Sequence, residues 1–162
     1  MPIKTKKRVP GRKSAPLSRT DLLPLGAARA KVLSLTTHMA LAAVRSGHGD
    51  LTMLGELLRT VYIVYFICEA EHHIPLPEDF INAERCLKAS MDVGEAEGLW
   101  KIGDNGMDSL EAVMALHDLQ LVNKPSYRID QAKDQLRTVL DKGVFPDLAH
   151  HLKIANPAAI TA

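Results

Sequence analysis

The chain has 162 residues, 46 % of them apolar and 24 % charged, with 20 Lys plus Arg against 19 Asp plus Glu. This composition excludes a wholly disordered chain, a collagen-like repeat and a disulfide-dense mini-protein, and one domain is the expected count. The net charge of +1 hides a split. Residues 1–20 carry Lys4, Lys6, Lys7, Arg8, Arg12, Lys13 and Arg19 with no acid, a charge of +7, while the remainder holds 13 basic against 19 acidic groups, a net −6.

Residues 1–20 also contain Pro2, Pro10, Gly11 and Pro16. Little there can be buried, so a flexible basic arm is expected. A helical domain over 21–155 and a loose tail over 156–162 complete the expected organisation. No apolar segment succeeds the basic start as in a signal peptide, and the longest apolar run, Val61 to Cys68, falls short of a membrane span. Cys68 and Cys86 sit among apolar neighbours and read as buried thiols of a reduced compartment rather than a disulfide. A cytoplasmic location with no membrane partner is therefore expected.

The first helix is expected over 27–45. Val32, Leu35, Met39 and Ala42 recur at spacings of three and four and predict the core-facing stripe, with Lys31, Ser34, His38 and Arg45 on a more polar face. Gly47 suits the left-handed position that ends this helix, and Asp50 suits the N-cap of the next. The second helix should run from Leu51 to about His73. Its segment Val61–Cys68 is apolar all round, which belongs at the centre of a bundle or in an oligomer interface. Pro75 and Pro77 stop it, and Pro77 begins a third helix with Glu78 and Asp79 in the first turn, where the dipole favours acids. That helix passes through Phe80, Ala83, Leu87 and Met91, with Gly94 and Gly98 weakening its second half.

Gly103 to Gly106 reads as a turn, and Asp108 with Glu111 as the capping box that starts a fourth helix. Asn123-Lys124-Pro125 ends it and Ser126 caps a fifth, with Ile129, Ala132, Leu136 and Leu140 along one side and Gly143 as its stop. A short helix from Pro146 to Ile154 closes the series. The fold class expected is all-α, a single-domain bundle of about five main helices.

Chemistry is sparse. Glu69 and His72 have the Glu-x-x-His spacing with which di-metal helical bundles bring a carboxylate and an imidazole to one point, but no second such pair is present. The alternative for these residues is a helix C-terminus where His72 and His73 complement the dipole. There is no Gly-x-Ser-x-Gly, His-Glu-x-x-His, Cys-x-x-Cys or phosphate loop, and no cofactor is expected. The fourth and fifth helices form a helix–turn–helix only loosely, with Tyr127, Arg128 and Gln131 at the start of the second. Residues 102–142 hold seven acidic against five basic groups, which opposes a close approach to phosphates and favours ordinary hairpin packing.

The stretch Leu35 to Asp50, read with Val61 to Ala70, resembles short bacterial helical proteins, some described as Fis-type transcriptional regulators. The resemblance implies a role in regulation and transfers no functional residue. A Fis-type regulator ends in a basic helix–turn–helix, whereas Asp147 to Ala162 is short and weakly charged. The expectation is a non-enzymatic helical interaction or regulatory protein, with Lys4, Lys6, Lys7, Arg8, Arg12 and Lys13 contacting nucleic acid. The alternatives are a metal-dependent helical enzyme using Glu69 and His72, and a helical module that binds a protein partner or forms a homo-oligomer while its tail is inert.

Overall fold

A computed structural model describes residues 16–143 and 146–155. The six cationic residues of the expected arm and the expected tail over 156–162 lie outside the described residues. The described chain is all-helical: α1 Ala27–Arg45, α2 Leu51–Ala70, α3 Pro77–Glu97, α4 Asp104–Asn123, α5 Ser126–Asp141 and α6 Leu148–Ala155. Among the described residues there is no strand, only an isolated bridge between Pro24 and Pro125.

The helix ends obey local chemistry. Gly47 adopts φ +78°, its N–H bonds Val44 O at 3.2 Å and the His48 N–H bonds Ala43 O at 2.9 Å, so α1 closes in a Schellman motif. Asp50 then caps α2, its Oδ1 accepting the Met53 N–H at 2.8 Å. Pro77 occupies the first turn of α3, with Glu78 and Asp79 beside it.

α2 is the centre. It packs against α1, α3, α4 and α5, and every side chain from Val61 to Cys68 is buried. Tyr65 meets Phe80 of α3 edge-on at 5.9 Å between ring centroids. By length and composition α2 could cross a membrane, with a mean hydropathy of 1.5 over the window, yet 67 % of that window is buried inside the fold. Of the two settings expected for an all-round apolar helix, the bundle centre is the one it takes. Val61–Cys68 is thereby unavailable as an oligomer interface.

Three local expectations are corrected. α4 begins at Asp104, one turn before Asp108, because Met107 and Gly106 are buried and draw the chain into helix early. Glu111 consequently does not close a capping box but pairs with Arg45 of α1. Ser126 is the first residue of α5 rather than its cap, and its backbone N–H bonds Leu23 O at 2.8 Å, tying the segment before α1 to the start of α5. Finally, α5 packs on α2 rather than forming a hairpin with α4, because Ile129, Ala132 and Leu136 bury against the apolar central helix.

Glu84 of α3 is buried and organises the last helix. Its Oε1 accepts from the Tyr62 hydroxyl at 2.7 Å and from Lys88 Nζ at 2.8 Å. Its Oε2 accepts the Leu148 backbone N–H at 3.0 Å, at the N-terminus of α6, where the helix dipole also favours a carboxylate. Burial and the neighbouring Glu84 push the Tyr62 phenol well above its usual range, so it stays a donor.

Candidate functional site

The Glu-x-x-His pair does not share one helical face. α2 ends at Ala70, and His72 lies beyond it with φ 54°, in the left-handed position that succeeds a helix. The His72 N–H bonds Glu69 O at 2.9 Å and the His73 N–H bonds Cys68 O at 3.1 Å, a second Schellman closure with His72 where glycine is usual. The Glu69 carboxylate is engaged by the Tyr65 hydroxyl at 3.2 Å and by Gln135 Nε2 at 3.3 Å. Among the described residues no group of three or more His, Cys, Asp or Glu is placed to hold a metal.

Cys68 does not offer a nucleophile. Burial, with the nearby Glu71 charge, pushes the Cys68 thiol up to about 11, and Gln120 Nε2 contacts its sulfur at 3.2 Å. At the start of α5, Arg128 lies over the Tyr127 ring at 5.1 Å and its guanidinium contacts Gln131. Those three side chains interact with one another and do not form a projecting basic ridge.

One constellation that sequence spacing does not reveal joins α1 to α4. His38 Nε2 bonds Asp118 Oδ2 at 2.8 Å, with Ser34 beside the same carboxylate. The residue types are those of a hydrolytic triad, but the order is wrong. The imidazole bonds the carboxylate, and among the described residues no hydrogen bond joins it to the Ser34 hydroxyl, so the imidazole is not set between them as a base for Ser34. Burial raises the Asp118 carboxyl, the bond from His38 and the polar groups beside it outweigh this, and the group ends below its usual range. The arrangement works as a clamp. With the Arg45–Glu111 pair it fixes α1 and α4 side by side and antiparallel. These pairings join residues 66 and 80 positions apart, and no local pattern announces them.

The clamp turns an unexpected surface outward. α1 buries Ala30, Thr37, Ala40, Leu41 and Val44, not the stripe chosen by periodicity. Val32, Leu35 and Met39 are instead 62, 56 and 63 % exposed, with Ala28 and Ala42 exposed on the same line. The physical reason is that α1 carries two apolar stripes. The one made of smaller residues goes inward, since Ala and Thr let the helix approach its neighbours closely. On α4, Leu119 and Val122 are 59 and 64 % exposed, in line with Ala115. A groove of about 390 Å³ runs between the two helices, lined by Leu25, Ala27, Ala30, Lys31, Leu121 and Val122 among others.

Val32, Leu35, Met39, Leu119 and Val122 thus gather five of the exposed large apolar side chains on one two-helix face. The signal in sequence is the 3–4 spacing of Val32, Leu35, Met39 and Ala42, which periodicity alone assigns to the wrong side. No protein-family model, curated protein or solved structure matches the chain.

Proposed function

We propose that the protein is a helical interaction module that docks a protein partner on the outward face of α1 and α4. The observation that carries this reading is the exposure of Val32, Leu35, Met39, Leu119 and Val122 on two clamped helices. Apolar residues spaced by three and four along a helix are the pattern by which one helix recognises another. A rigid pair of helices presents them without an ordering cost, which favours affinity. The test is site-specific photo-crosslinking in the producing cells, with the reactive side chain at Leu35 or Leu119 and a control at Arg137 of α5. Crosslinked species from the first two positions and not from Arg137 are expected. An absence of crosslinks from both face positions would reject the reading.

A second activity is proposed for residues 1–20, on the strength of the charge split. A +7 segment attached to a −6 remainder suits contact with a polyanion, and nucleic acid offers the densest run of phosphates. The resemblance of Leu35 to Asp50 to Fis-type regulators points the same way. In this reading the arm supplies sequence-independent contact and the body supplies protein contact.

A further inference from the structure

We infer that the partner on this face is a second copy of the chain, in a twofold dimer where each α1 lies antiparallel on the α4 of the other protomer. The dimer rests on the reading of the face as an interaction surface and specifies what covers it.

Three observations lead there. The first is matched spacing. The exposed positions 28, 32, 35, 39 and 42 of α1 have a 4-3-4-3 pattern, and positions 112, 115, 119 and 122 of α4, the first of them half-buried, have a 3-4-3 pattern. Both are seams of the type that fills the core of a four-helix bundle. A clamped helix pair with both seams outward is half of such a bundle, and a second identical pair supplies the other half. The groove between α1 and α4 is where knobs from the facing pair would seat.

The second is area. Side chains of Val, Leu and Met at these exposures present on the order of 100 Å² each. The five large ones therefore offer roughly 500 Å² per protomer and about 1,000 Å² per dimer, the level that a specific interface must reach. The alanines on both stripes add to it.

The third is charge, which decides the arrangement. α1 holds Arg29, Lys31 and Arg45 and no acid, whereas α4 holds Asp104, Asp108, Glu111 and Asp118 and no Lys or Arg. Two face-to-face twofold dimers can be built from an antiparallel helix pair. With the axis across the helices, α1 lies on α1 and α4 on α4, which sets like charges together. With the axis along the helices, each basic α1 lies on an acidic α4, repeating between chains the relationship that the Arg45–Glu111 and His38–Asp118 pairs make within one chain. Electrostatic complementarity selects the second.

The experiment is sedimentation velocity on the full chain over a range of concentrations, with Leu35→Glu and Leu119→Glu for comparison. Both residues are exposed in the monomer, so circular dichroism should stay unchanged, and thermal unfolding should match the parent chain at concentrations where the parent is monomeric. Each substitution occurs twice in the dimer, so the dissociation constant should rise by ~100-fold. For the arrangement, Ala42→Cys and Ala115→Cys chains are mixed under mild oxidation, and a mixed disulfide linking the two is expected. A Leu35→Cys chain that links only to itself, with no mixed product, would overturn the arrangement. A dimer that survives Leu35→Glu and Leu119→Glu uses another surface and overturns the inference. A monomer at every concentration, with Leu35 photo-crosslinked to a different protein, overturns the second copy and leaves the interaction reading standing. A monomer with no crosslink from either face position removes both.

Discussion

Glu84 Oε2 accepts the backbone N–H of Leu148 at 3.0 Å across 64 residues of sequence, so one buried carboxylate on α3 holds the start of α6. The same group serves the Tyr62 hydroxyl and Lys88 Nζ. Removing it strands a helix-terminal N–H and takes one partner from the Tyr62 hydroxyl, which also donates to Pro146 O at 3.3 Å, while Lys88, at 42 % side-chain exposure, can turn to water. Glu84→Ala is expected to cost about 2–3 kcal/mol, and Glu84→Gln, which keeps an acceptor, about half that. Urea unfolding gives the totals. Amide exchange should show α6 losing protection before α2, and equal loss in both would reject the role of Glu84 as the anchor of α6.

Stability should also fall in acid, through His117. Burial is the main cause that brings this imidazole down to about 4, against about 6.5 for an unfolded histidine, and its Nδ1 has no hydrogen-bond partner among the described residues. A depressed histidine binds its proton more readily in the unfolded chain. Stability is therefore complete above about pH 6.5 and declines towards pH 4, by about 3 kcal/mol in total. Asp118, held below its usual range, adds a further loss only at lower pH, below the ordinary carboxylate value. Replacing the imidazole by His117→Gln should flatten the decline between pH 6.5 and 4. An unaltered slope in that variant would assign the acid sensitivity elsewhere.

The helices are legible where local signals act alone. Gly47 and Asp50 mark the α1–α2 connection, and Pro77 the start of α3, because backbone handedness, capping and a missing N–H are properties of single residues. The illegible part is decided by packing. The two stripes of α1 are both apolar and both helical in period, and only the presence of α2 and α4 chooses Ala30, Thr37 and Leu41 over Val32, Leu35 and Met39. In the same way Glu111 offers a capping box to its own helix and an ion pair to Arg45, and the long-range partner wins. The clamp of Ser34, His38 and Asp118 is invisible for the same reason. Its members come together only once the chain is folded.

His72 tests the end of α2 directly. Its φ of 54° is a left-handed conformation that crowds a Cβ against the backbone, and glycine is the residue that takes it freely. His72→Gly should therefore stabilise the protein by about 1 kcal/mol, while His72→Val should destabilise it by at least as much. If Glu69 and His72 jointly held a metal ion, the first result would reverse. His72→Gly would then be less stable than the parent chain in added zinc or manganese, and would lose bound metal by elemental analysis.

The basic residues near the start of the sequence make the sharpest quantitative demand. If Lys4, Lys6, Lys7, Arg8, Arg12 and Lys13 all neutralise phosphates of duplex DNA, the logarithm of the association constant should fall against the logarithm of salt with a slope of about −5. Replacing all six by glutamine in the full chain should bring the slope close to zero and weaken binding alike for unrelated sequences. The folded body opposes such contact, because residues 21–162 are net −6 and would repel the same phosphates. Substituting Tyr127 and Arg128 at the start of α5 should accordingly leave both slope and affinity unchanged. A slope that persists without the six cations would move the contact onto the body and remove the arm from the reading.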